Sequence, residues 1–295
     1  MEDKVSKQIQ LRQKIKAIQT TQKITNAIRQ VSMSLYSKLE HQSATIKNYT
    51  QNLTNLFTKL IAYDDTWSNP LMSPKKPDSN PLIIIVATSK GLCGGLNSNM
   101  YKFIAKALEI KNFQNPKFVT IGYKALTFTK DQKLGEIVLS YNDFSLNNYI
   151  SIANNLITKI ADGSLTYSSV TIFYNESKSF FVQKTVRHQL IPVKIDSENT
   201  STTDPHKIYA DLIWEQNPHE ILDALSIRYI KGQMIHCLFQ ALIAEYSARF
   251  VAMDSSTVNA EKYIEKLTLA YNKMRQADIT REVSGLCAGF MNKNS

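Results

Sequence analysis

The sequence predicts an α/β protein with two parts. Long N- and C-terminal helices form an antiparallel coiled coil, and the chain between them forms a central, Rossmann-like α/β domain with a mostly parallel sheet. Three observations support this fold class: the placement of glycine and proline, the spacing of apolar residues in both end segments, and the alternation of strand and helix patterns between them. The chain has 295 residues, of which 43% are hydrophobic and 20% charged. That length accommodates one or two domains.

Glycine and proline, which interrupt helices, are confined almost entirely to the middle of the chain. Of 17 such residues, 14 lie from Pro70 to Pro218 and none precedes Pro70. The three that follow Pro218 are Gly232, Gly285 and Gly289. A single globular domain would distribute its turns along the whole chain, so this placement predicts two long helical arms around a turn-rich middle.

Apolar residues in both arms recur every three or four positions, a narrow stripe typical of a coiled coil. The stripe of the first arm consists of Ile24, Ile28, Val31, Leu35, Leu39, Ile46, Tyr49, Leu53, Leu56 and Leu60. The stripe of the second arm consists of Phe239, Leu242, Tyr246, Phe250, Met253, Thr257, Ala260, Ile264, Leu267, Tyr271 and Met274. Helices of about 60 to 70 residues need a partner along their length, so we expect the arms to pack antiparallel, with the longer second arm projecting at its end.

The middle of the chain alternates between strand and helix patterns, which predicts a small α/β domain. The expected strands are at 81–88, 118–122, 135–141, 170–174 and 180–187, and the expected helices are at 97–109 and 146–161. We expect a turn at 175–177 between the last two strands and a polar loop at 195–207. Asn217 and Pro218 form a helix start, with Glu220 completing a capping box. The predicted organisation is an N-terminal helix at 1–65, an α/β domain at 71–216 and a C-terminal helix at 217–295.

The positive charge of the chain is concentrated in the first arm. The net charge is +10, residues 1–62 contribute +7 of it, and residues 219–289 carry equal numbers of basic and acidic side chains. Such a basic helix is suited to nucleic acid, anionic lipid or an acidic protein surface, or it is a solvated helix face.

Cysteine and histidine give no sign of a metal or disulfide framework. Cys93, Cys237 and Cys287 are widely spaced, and the five histidines form no HxxxH or HxH pair. We therefore expect no metal and no cofactor. The chain has no run of 18 apolar residues and begins with a polar segment, so we expect any membrane association to depend on a partner.

The segment at 88–97, TSKGLCGGLN, lies between the first strand and the following helix, where phosphate-binding loops are found. It matches neither GxxxxGK[ST] nor GxGxxG, so we interpret Gly91, Gly94 and Gly95 as a close-packed structural turn that needs positive φ. Cys93 at the helix start could be a nucleophile with a lowered pKa, but no cysteine or histidine motif accompanies it. A packed thiol is the favoured interpretation, and no catalytic residue is predicted.

Three blocks of sequence resemble the gamma subunit of F-type ATP synthases. The first block is KIKAIQTTQKITNAIRQV at 14–31. The second is TSKGLCGGLN at 88–97, here called the glycine turn, which is one residue shorter than the family's TSDRGLCGGLN. The third block contains Glu245, followed by ARFVAM, TVNA and LAYNKMRQADITRE between 248 and 282. It is similar to the family's ARMVAM, TDNA and LxYNKxRQAxITxE. The blocks occur in family order and extend over nearly the whole chain.

The resemblance implies the central shaft of a rotary motor, which turns inside a ring of three alpha and three beta subunits and couples ATP synthesis or hydrolysis to proton translocation. Catalysis would then lie on the ring, mostly on the beta subunits, and this chain would be a non-catalytic subunit. The α/β domain would form the foot that meets the epsilon subunit and the membrane c-ring. The complex would lie on the cytoplasmic face of the inner (plasma) membrane, or on the matrix face of the mitochondrial membrane.

The resemblance also assigns individual contact residues. Arg275, Gln276 and Thr280 stand where the shaft of the family touches the beta subunits, and Ile28 stands where the facing arm has a methionine. The tip from Val283 to Phe290, which includes Leu286, would lie in the apolar bearing of the ring.

Three positions depart from the family pattern, because Asn26, Leu35 and Asp254 stand where lysine is usual. These departures leave open an F-like rotary ATPase that drives a different load. A third hypothesis, from another class of protein, is a basic coiled coil that binds nucleic acid or a membrane surface. That hypothesis leaves the third block unexplained, and we expect no nucleic-acid partner.

Overall fold

The computed structural model describes residues 2–63, 67–69, 80–111, 113, 115–162, 167–193 and 217–291. The elements in chain order are α1 (Glu2–Tyr63), β1 (Leu82–Val86), α2 (Leu96–Lys111), β2 (Lys117–Ile121), α3 (Tyr123–Asp131), β3 (Glu136–Tyr141), α4 (Tyr149–Ala161), β4 (Val170–Ser179), β5 (Val182–Ile191) and α5 (Pro218–Met291). The chain divides into two compact units, Met33–Arg249 and Met1–Ser32 with Phe250–Ser295. We call them the sheet unit and the two-helix unit, and both α1 and α5 contribute residues to each.

The sheet unit is built on a five-stranded sheet in the order β3-β2-β1-β4-β5. β1 pairs in parallel with β2 and β4, and β2 pairs in parallel with β3. Only β5 at the edge is antiparallel, paired with β4. The expected fold class, long terminal helices with a central and mostly parallel sheet, is confirmed.

The central strand β1 is apolar throughout because both of its faces are covered. All five of its residues are 0–1% exposed. Ile83 and Ile85 belong to an apolar cluster with residues of α2 and α3. Leu82, Ile84 and Val86 belong to the second cluster, which contains residues of α4, α1 and α5. Side chains that alternate between two buried faces explain the unbroken run LIIIV.

Helix α4 covers one face of the sheet with a single apolar stripe. Its buried residues recur at intervals of one and three, the pattern of a helix with one buried face. They are Tyr149, Ile152, Ala153, Leu156, Ile157 and Ile160. The helix expected at 146–161 is therefore present, beginning at Tyr149.

The predicted turn at 175–177 is wrong, because β4 continues through Ser179 and the chain reverses at Phe180 and Phe181. Asn175 is only 4% exposed, and its side-chain oxygen accepts a hydrogen bond from Thr185 Oγ1 at 2.8 Å. Asn175 and Thr185 are directly paired across the hairpin. A cross-strand partner thus allows a polar, turn-forming residue type to lie within a strand.

Helix α3 is absent from the sequence-based expectations. Its nine residues bury only Ala125, Phe128 and Thr129, so its apolar pattern is too short to identify. Gly122 precedes the helix with φ of +88°. The loop expected at 195–207 lies outside the described residues.

Helix α5 begins where the sequence predicts. The side-chain oxygen of Asn217 accepts a hydrogen bond from the backbone N–H of His219 at 3.0 Å. The backbone N–H of Glu220 donates to the carbonyl oxygen of Asn217 at 3.0 Å. Asn217 is therefore the N-cap and Pro218 the first helical residue.

In the two-helix unit, α1 and α5 run antiparallel. Three side-chain contacts define the direction, since the α5 number falls as the α1 number rises: Gln8 with Asp278, Thr25 with Thr257, and Arg29 with Asp254. Every member of the predicted α5 stripe from Phe250 to Met274 is buried or half-buried. The narrow stripe of α5 is confirmed in this unit.

The predicted stripe of α1 is wrong in part. Ile24, Val31, Tyr49 and Leu56 are 47–59% exposed. Their places on the covered face are taken by residues that include hydroxyl side chains, namely Ser32 at 2% exposure and Thr50 at 7%. These two hydroxyls donate to the carbonyl oxygens of Ile28 and Ile46 on their own helix, at 2.7 and 2.8 Å. A hydroxyl that is satisfied four residues back can be buried without a partner on the facing helix.

Two histidines lie between the sheet and α5 within the sheet unit. His188 on β5 and His236 on α5 are half-buried, and Nδ1 of His236 is a buried atom that has no hydrogen-bond partner among the described residues. Burial lowers the pKa of both imidazoles, and the proximity of His236 lowers the pKa of His188 further. Glu176 raises the pKa of His236, and Lys47 lowers it, but burial is the largest cause.

We expect Gly122→Ala to destabilise the protein by about 3 kcal/mol or more, as backbone strain and overpacking add. A Cβ at Gly122 would lie 2.1 Å from the carbonyl oxygen of Ala87, and alanine is strained at φ of +88°. The control is Gly91→Ala, since a Cβ at Gly91 meets nothing within 4 Å. Urea unfolding followed by circular dichroism measures both, and equal midpoints would contradict this account of Gly122.

We expect the free energy of unfolding to fall as the pH drops below the histidine reference pKa of 6.5. The folded pKa values lie below that reference, so the unfolded chain binds more protons in acid. Stability from the neutral imidazoles is complete above pH 6.5 and is lost as the pH falls through the folded pKa values. Urea unfolding at several pH values measures the slope, which should flatten in the double variant His188→Gln/His236→Gln. An unchanged slope would show that other groups cause the dependence.

Candidate functional site

The glycine turn after β1 needs only one of its three glycines for backbone reasons. Gly94 has φ of +59°, but Gly91 and Gly95 do not have positive φ. Leu92 takes the other left-handed position, with φ of +64°. The turn therefore contains the positive φ expected of it, and among its glycines Gly94 is the residue that has it. Nothing in the sequence indicates that a leucine would adopt this conformation.

Side chains of the turn hold it in place by hydrogen bonds within the chain. Asn97 Nδ2 donates to Thr88 Oγ1 at 2.8 Å and lies 3.4 Å from Cys93 Sγ. Ser89 Oγ accepts from the backbone N–H of Phe144 at 2.7 Å, in the loop between β3 and α4. The polar side chains that a phosphate-binding loop would direct toward a ligand are here used to fix the loop itself.

Cys93 is a packed thiol. It is 3% exposed and forms a small apolar cluster with Leu96 and Ala248. Burial raises the pKa of this thiol, although the hydrogen bond to Thr88 and the charge of Arg249 act in the opposite direction. The thiolate that nucleophilic chemistry requires is therefore disfavoured, and the sequence-based preference for a packed thiol is confirmed.

A buried ion pair on α5 lies against the glycine turn. Glu245 and Arg249 are 5% and 8% exposed, and Nη2 of Arg249 lies 2.5 Å from Oε1 of Glu245. The guanidinium also donates to the carbonyl oxygens of Gly91 and Lys90, at 3.4 and 3.5 Å. Both charged residues occur in the third sequence block, but a spacing of four on a helix is equally typical of an exposed pair. Sequence alone therefore did not single them out.

The surroundings of the pair are partly aromatic. The guanidinium carbon of Arg249 lies 5.5 Å from the centre of the Tyr246 ring, within cation–π range. Burial raises the pKa of the Glu245 carboxyl, while Arg249 and, more weakly, Lys90 act in the opposite direction. The arginine is thus held by a carboxylate, a ring and two carbonyl oxygens.

The contact residues assigned to α5 lie in the two-helix unit and are exposed. Arg275, Gln276, Thr280 and Val283 are all on the surface, and Val283 is 54% exposed. Gln276, Thr280 and Val283 are spaced four and three residues apart, so they lie on one face of the helix. Leu286 belongs to α5, but its side chain is outside the described set.

Helix α1 contacts this exposed segment, which extends from Arg275 to Val283, but leaves most of its side chains exposed. Gln8 Nε2 donates to Oδ2 of Asp278 at 2.6 Å, and Nη1 of Arg281 lies 3.6 Å from Oδ1 of the same residue. Asp278 is the half-buried residue between Gln276 and Thr280. The segment is therefore held from one side and open on the other.

Ile28 is not brought together with the exposed segment. It is half-buried and lies beside Arg29, which contacts Asp254, whereas the exposed segment is contacted by Gln8. The 20 residues from Gln8 to Ile28 correspond to between five and six turns of α1. Within the two-helix unit, the sequence-predicted residues therefore form two separate groups. The glycine turn belongs to the sheet unit.

The three positions that depart from the family pattern have distinct surroundings. Asp254 forms a salt bridge with Arg29 at 2.7 Å, so its reversed charge has a partner on α1. Leu35 is half-buried. Asn26 lines a groove of about 390 Å³, and its Oδ1 is buried with no hydrogen-bond partner in the described part of the chain.

The part of the chain that the structure describes has neither a cluster of metal-ligating side chains nor a helix that could span a membrane. Over the described ranges, no three histidine, cysteine or acidic side chains are grouped in a way that could hold a metal ion. In the same part of the chain, no helix has an apolar stretch long enough to cross a bilayer.

Comparison with known proteins identifies the family. Residues 7–291 match the family described as ATP synthase. The chain is 30% identical over 287 residues to the ATP synthase gamma chain of Clostridium perfringens, covering 95% of this chain and 96% of that protein. It is 32% identical over 289 residues to the gamma chain of Delftia acidovorans, covering 95% and 97%.

Solved structures show the same fold. A chain of the mitochondrial ATP synthase of Euglena gracilis, solved as an OSCP/F1/c-ring assembly, matches with a TM-score of 0.69 at 17% identity, over 97% of this chain and 94% of that chain. A chain from the central stalk and c-ring of the Tetrahymena thermophila enzyme matches with a TM-score of 0.53 at 17% identity, over 79% and 98%. With a family match over nearly its whole length and relatives of 30% identity or more, the chain belongs to the ATP synthase gamma-chain family.

Proposed function

We propose that this chain is the central-stalk subunit of an F-type ATP synthase, a rotor that turns inside a ring of alpha and beta subunits and couples ATP turnover to proton translocation. The observation that supports this most is the exposed segment of α5 from Arg275 to Val283. Its sequence matches the family's third block, and its side chains at Arg275, Gln276, Thr280 and Val283 are exposed, where a surrounding protein can contact them.

Large apolar side chains on the surface of the two-helix unit support a protein partner. Those on α5 are Val258, Tyr263, Leu269, Ile279 and Val283, and those on α1 are Ile9, Ile24 and Val31, all of which are 39–63% exposed. Burial of such side chains against another protein would remove their apolar surface from water and so stabilise the contact. Alpha and beta subunits of the ring are the partners that the family implies.

The proposed mechanism needs no reactive group on this chain. An asymmetric shaft makes different contacts with each of three identical ring sites, and each site shifts toward the conformation that its contacts favour. Rotation then passes each site through the same series of states. A closed glycine turn and a buried, protonated Cys93 suit a subunit whose catalytic partners are the beta subunits.

The three predicted segments have separate tasks in this proposal. The segments at 1–65 and 217–295, which contain α1 and α5, form the shaft, and the segment at 71–216 forms the foot that contacts the epsilon subunit and the c-ring. The complex holds the chain peripherally at the cytoplasmic face of the plasma membrane, or at the matrix face in a mitochondrion.

The direct test is affinity purification of the tagged full-length chain from its own cells under mild detergent. We expect alpha, beta, epsilon and c subunits in the eluate, identified by mass spectrometry, together with ATPase activity. Recovery of alpha and beta subunits without a c-ring would favour an F-like ATPase with another load. Recovery of nucleic acid without alpha and beta subunits would contradict the proposal.

We expect the triple variant Arg275→Ala/Gln276→Ala/Thr280→Ala to lower ATP hydrolysis by the assembled complex about tenfold, through loss of about 1.4 kcal/mol of contacts with the ring. These side chains are exposed, so the helix content of the chain should not change. The control is Lys106→Ala, an exposed cation on α2. Normal hydrolysis in the triple variant would argue against this contact surface.

A further inference from the structure

The glycine turn lies where doubly wound sheets usually bind ligands. In such folds the site is outside the carboxyl ends of the strands, at the point where the strand order reverses. Here the chain passes from β1 to β2 and β3 on one side and then returns to β4 on the other side of β1. The turn at 88–97 leaves β1 at this reversal.

Helix α5 contacts this turn. Arg249 reaches the carbonyl oxygens of Lys90 and Gly91, and Ala248 packs against Cys93 and Leu96. One turn earlier along α5, Glu245 fixes the guanidinium. The turn that would face a nucleotide in a dinucleotide-binding protein is therefore contacted by a helix of the same chain.

Stability alone does not account for the buried pair. Removing two charges from water costs free energy that their attraction only partly restores, and apolar residues of similar size are often as stable. An arginine provides directional hydrogen bonds, because its planar guanidinium can hold a carboxylate and backbone carbonyl oxygens at fixed angles. The apolar contacts that α5 makes in the core cluster are non-directional, so direction comes from polar contacts such as this one and the hydrogen bond from Gln183 to Ser247.

The turn is also tied to the rest of the sheet unit. Ser89 bonds to the backbone of Phe144 before α4, and the backbone N–H of Lys124 donates to the carbonyl oxygen of Thr88 at 3.1 Å. On the hairpin side, Gln183 Nε2 donates to Ser247 Oγ on α5 at 3.1 Å. A displacement of the turn relative to α5 would therefore disturb several elements at once.

We propose that Glu245 and Arg249 form an internal docking site that fixes the glycine turn to α5, with Arg249 as the positioning residue, so that load is transferred between the sheet and the helix at this contact. The mechanical part of this inference rests on the proposed rotor function. The docking itself is a property of the chain alone. The two parts can be tested separately.

The first test measures docking by hydrogen exchange in the purified full-length chain. In Arg249→Lys, the ammonium keeps the charge beside Glu245 but cannot also hold both carbonyl oxygens. We expect amides at 88–97 to exchange about tenfold faster than in the original chain, as for loss of a local hydrogen-bonded contact.

The matched control is Arg228→Lys, an exposed residue on the same helix. Protection of β1 amides reports that each variant is folded, and unchanged exchange at 88–97 in folded Arg249→Lys would overturn the docking site.

A charge-swapped variant separates docking from simple ion pairing. Glu245→Arg/Arg249→Glu keeps a pair of opposite charges one helical turn apart but moves the guanidinium away from the turn. Docking predicts fast exchange at 88–97 in this variant as well. If the swap restores the original exchange rate, the pair is only structural and the proposal is wrong. Glu245→Gln, which keeps the arginine and nearly the same shape, should give an intermediate rate.

The second test measures load transfer in the assembled, membrane-bound complex. ATP hydrolysis and ATP-driven proton uptake are compared in the same vesicles for the original chain, Arg249→Lys and Arg228→Lys. We expect Arg249→Lys to lower proton uptake per ATP hydrolysed while the complex still assembles, and Arg228→Lys to have no effect. Equal uptake per ATP in all three would overturn the load-transfer role. If even the original chain assembles with no ring, the rotor proposal fails while the exchange experiment still decides the docking site.

Discussion

The central constraint on this structure is that α5 continues for 74 residues without a break. A helix of that length is not stable alone in water and must be covered along its course. In the sheet unit, α5 is buried on nearly all sides from Met234 to Arg249. In the two-helix unit it is covered along one narrow stripe by α1. The helix is therefore largely apolar on all its faces in one part, where the buried charges of Glu245 and Arg249 pair with each other, and amphipathic in the other. Its sequence changes accordingly near Phe250.

Much of the fold could be predicted from the sequence because strong patterns determine it. The absence of helix breakers, the cap at Asn217 and the apolar run of β1 each have one reasonable interpretation. The failures occur where a polar side chain finds a local partner. Asn175 is hydrogen-bonded across a hairpin, although its residue type indicated a turn. Ser32 is hydrogen-bonded to its own helix, although its polarity indicated a solvent-exposed position.

The residues of the candidate site likewise differ in how far the sequence could predict them. Arg275, Gln276 and Thr280 were identified only through the family pattern, since exposed polar residues on a helix carry no signal of their own. The importance of Arg249 emerges only when the turn at 88–97 is placed in space, because its partners are backbone carbonyl oxygens more than 150 residues away. Backbone acceptors leave no trace in a sequence.

The exposed apolar residues of α1 also bear on how the protein is made in the cell. Ile24 and Val31 are 55% and 59% exposed in the folded chain, while Ser32 occupies the covered face beside them. A newly synthesised chain thus presents apolar side chains to solvent even after it folds completely. Its solubility depends on how soon these side chains are covered, which favours synthesis in step with whatever protein covers them and penalises surplus copies by self-association.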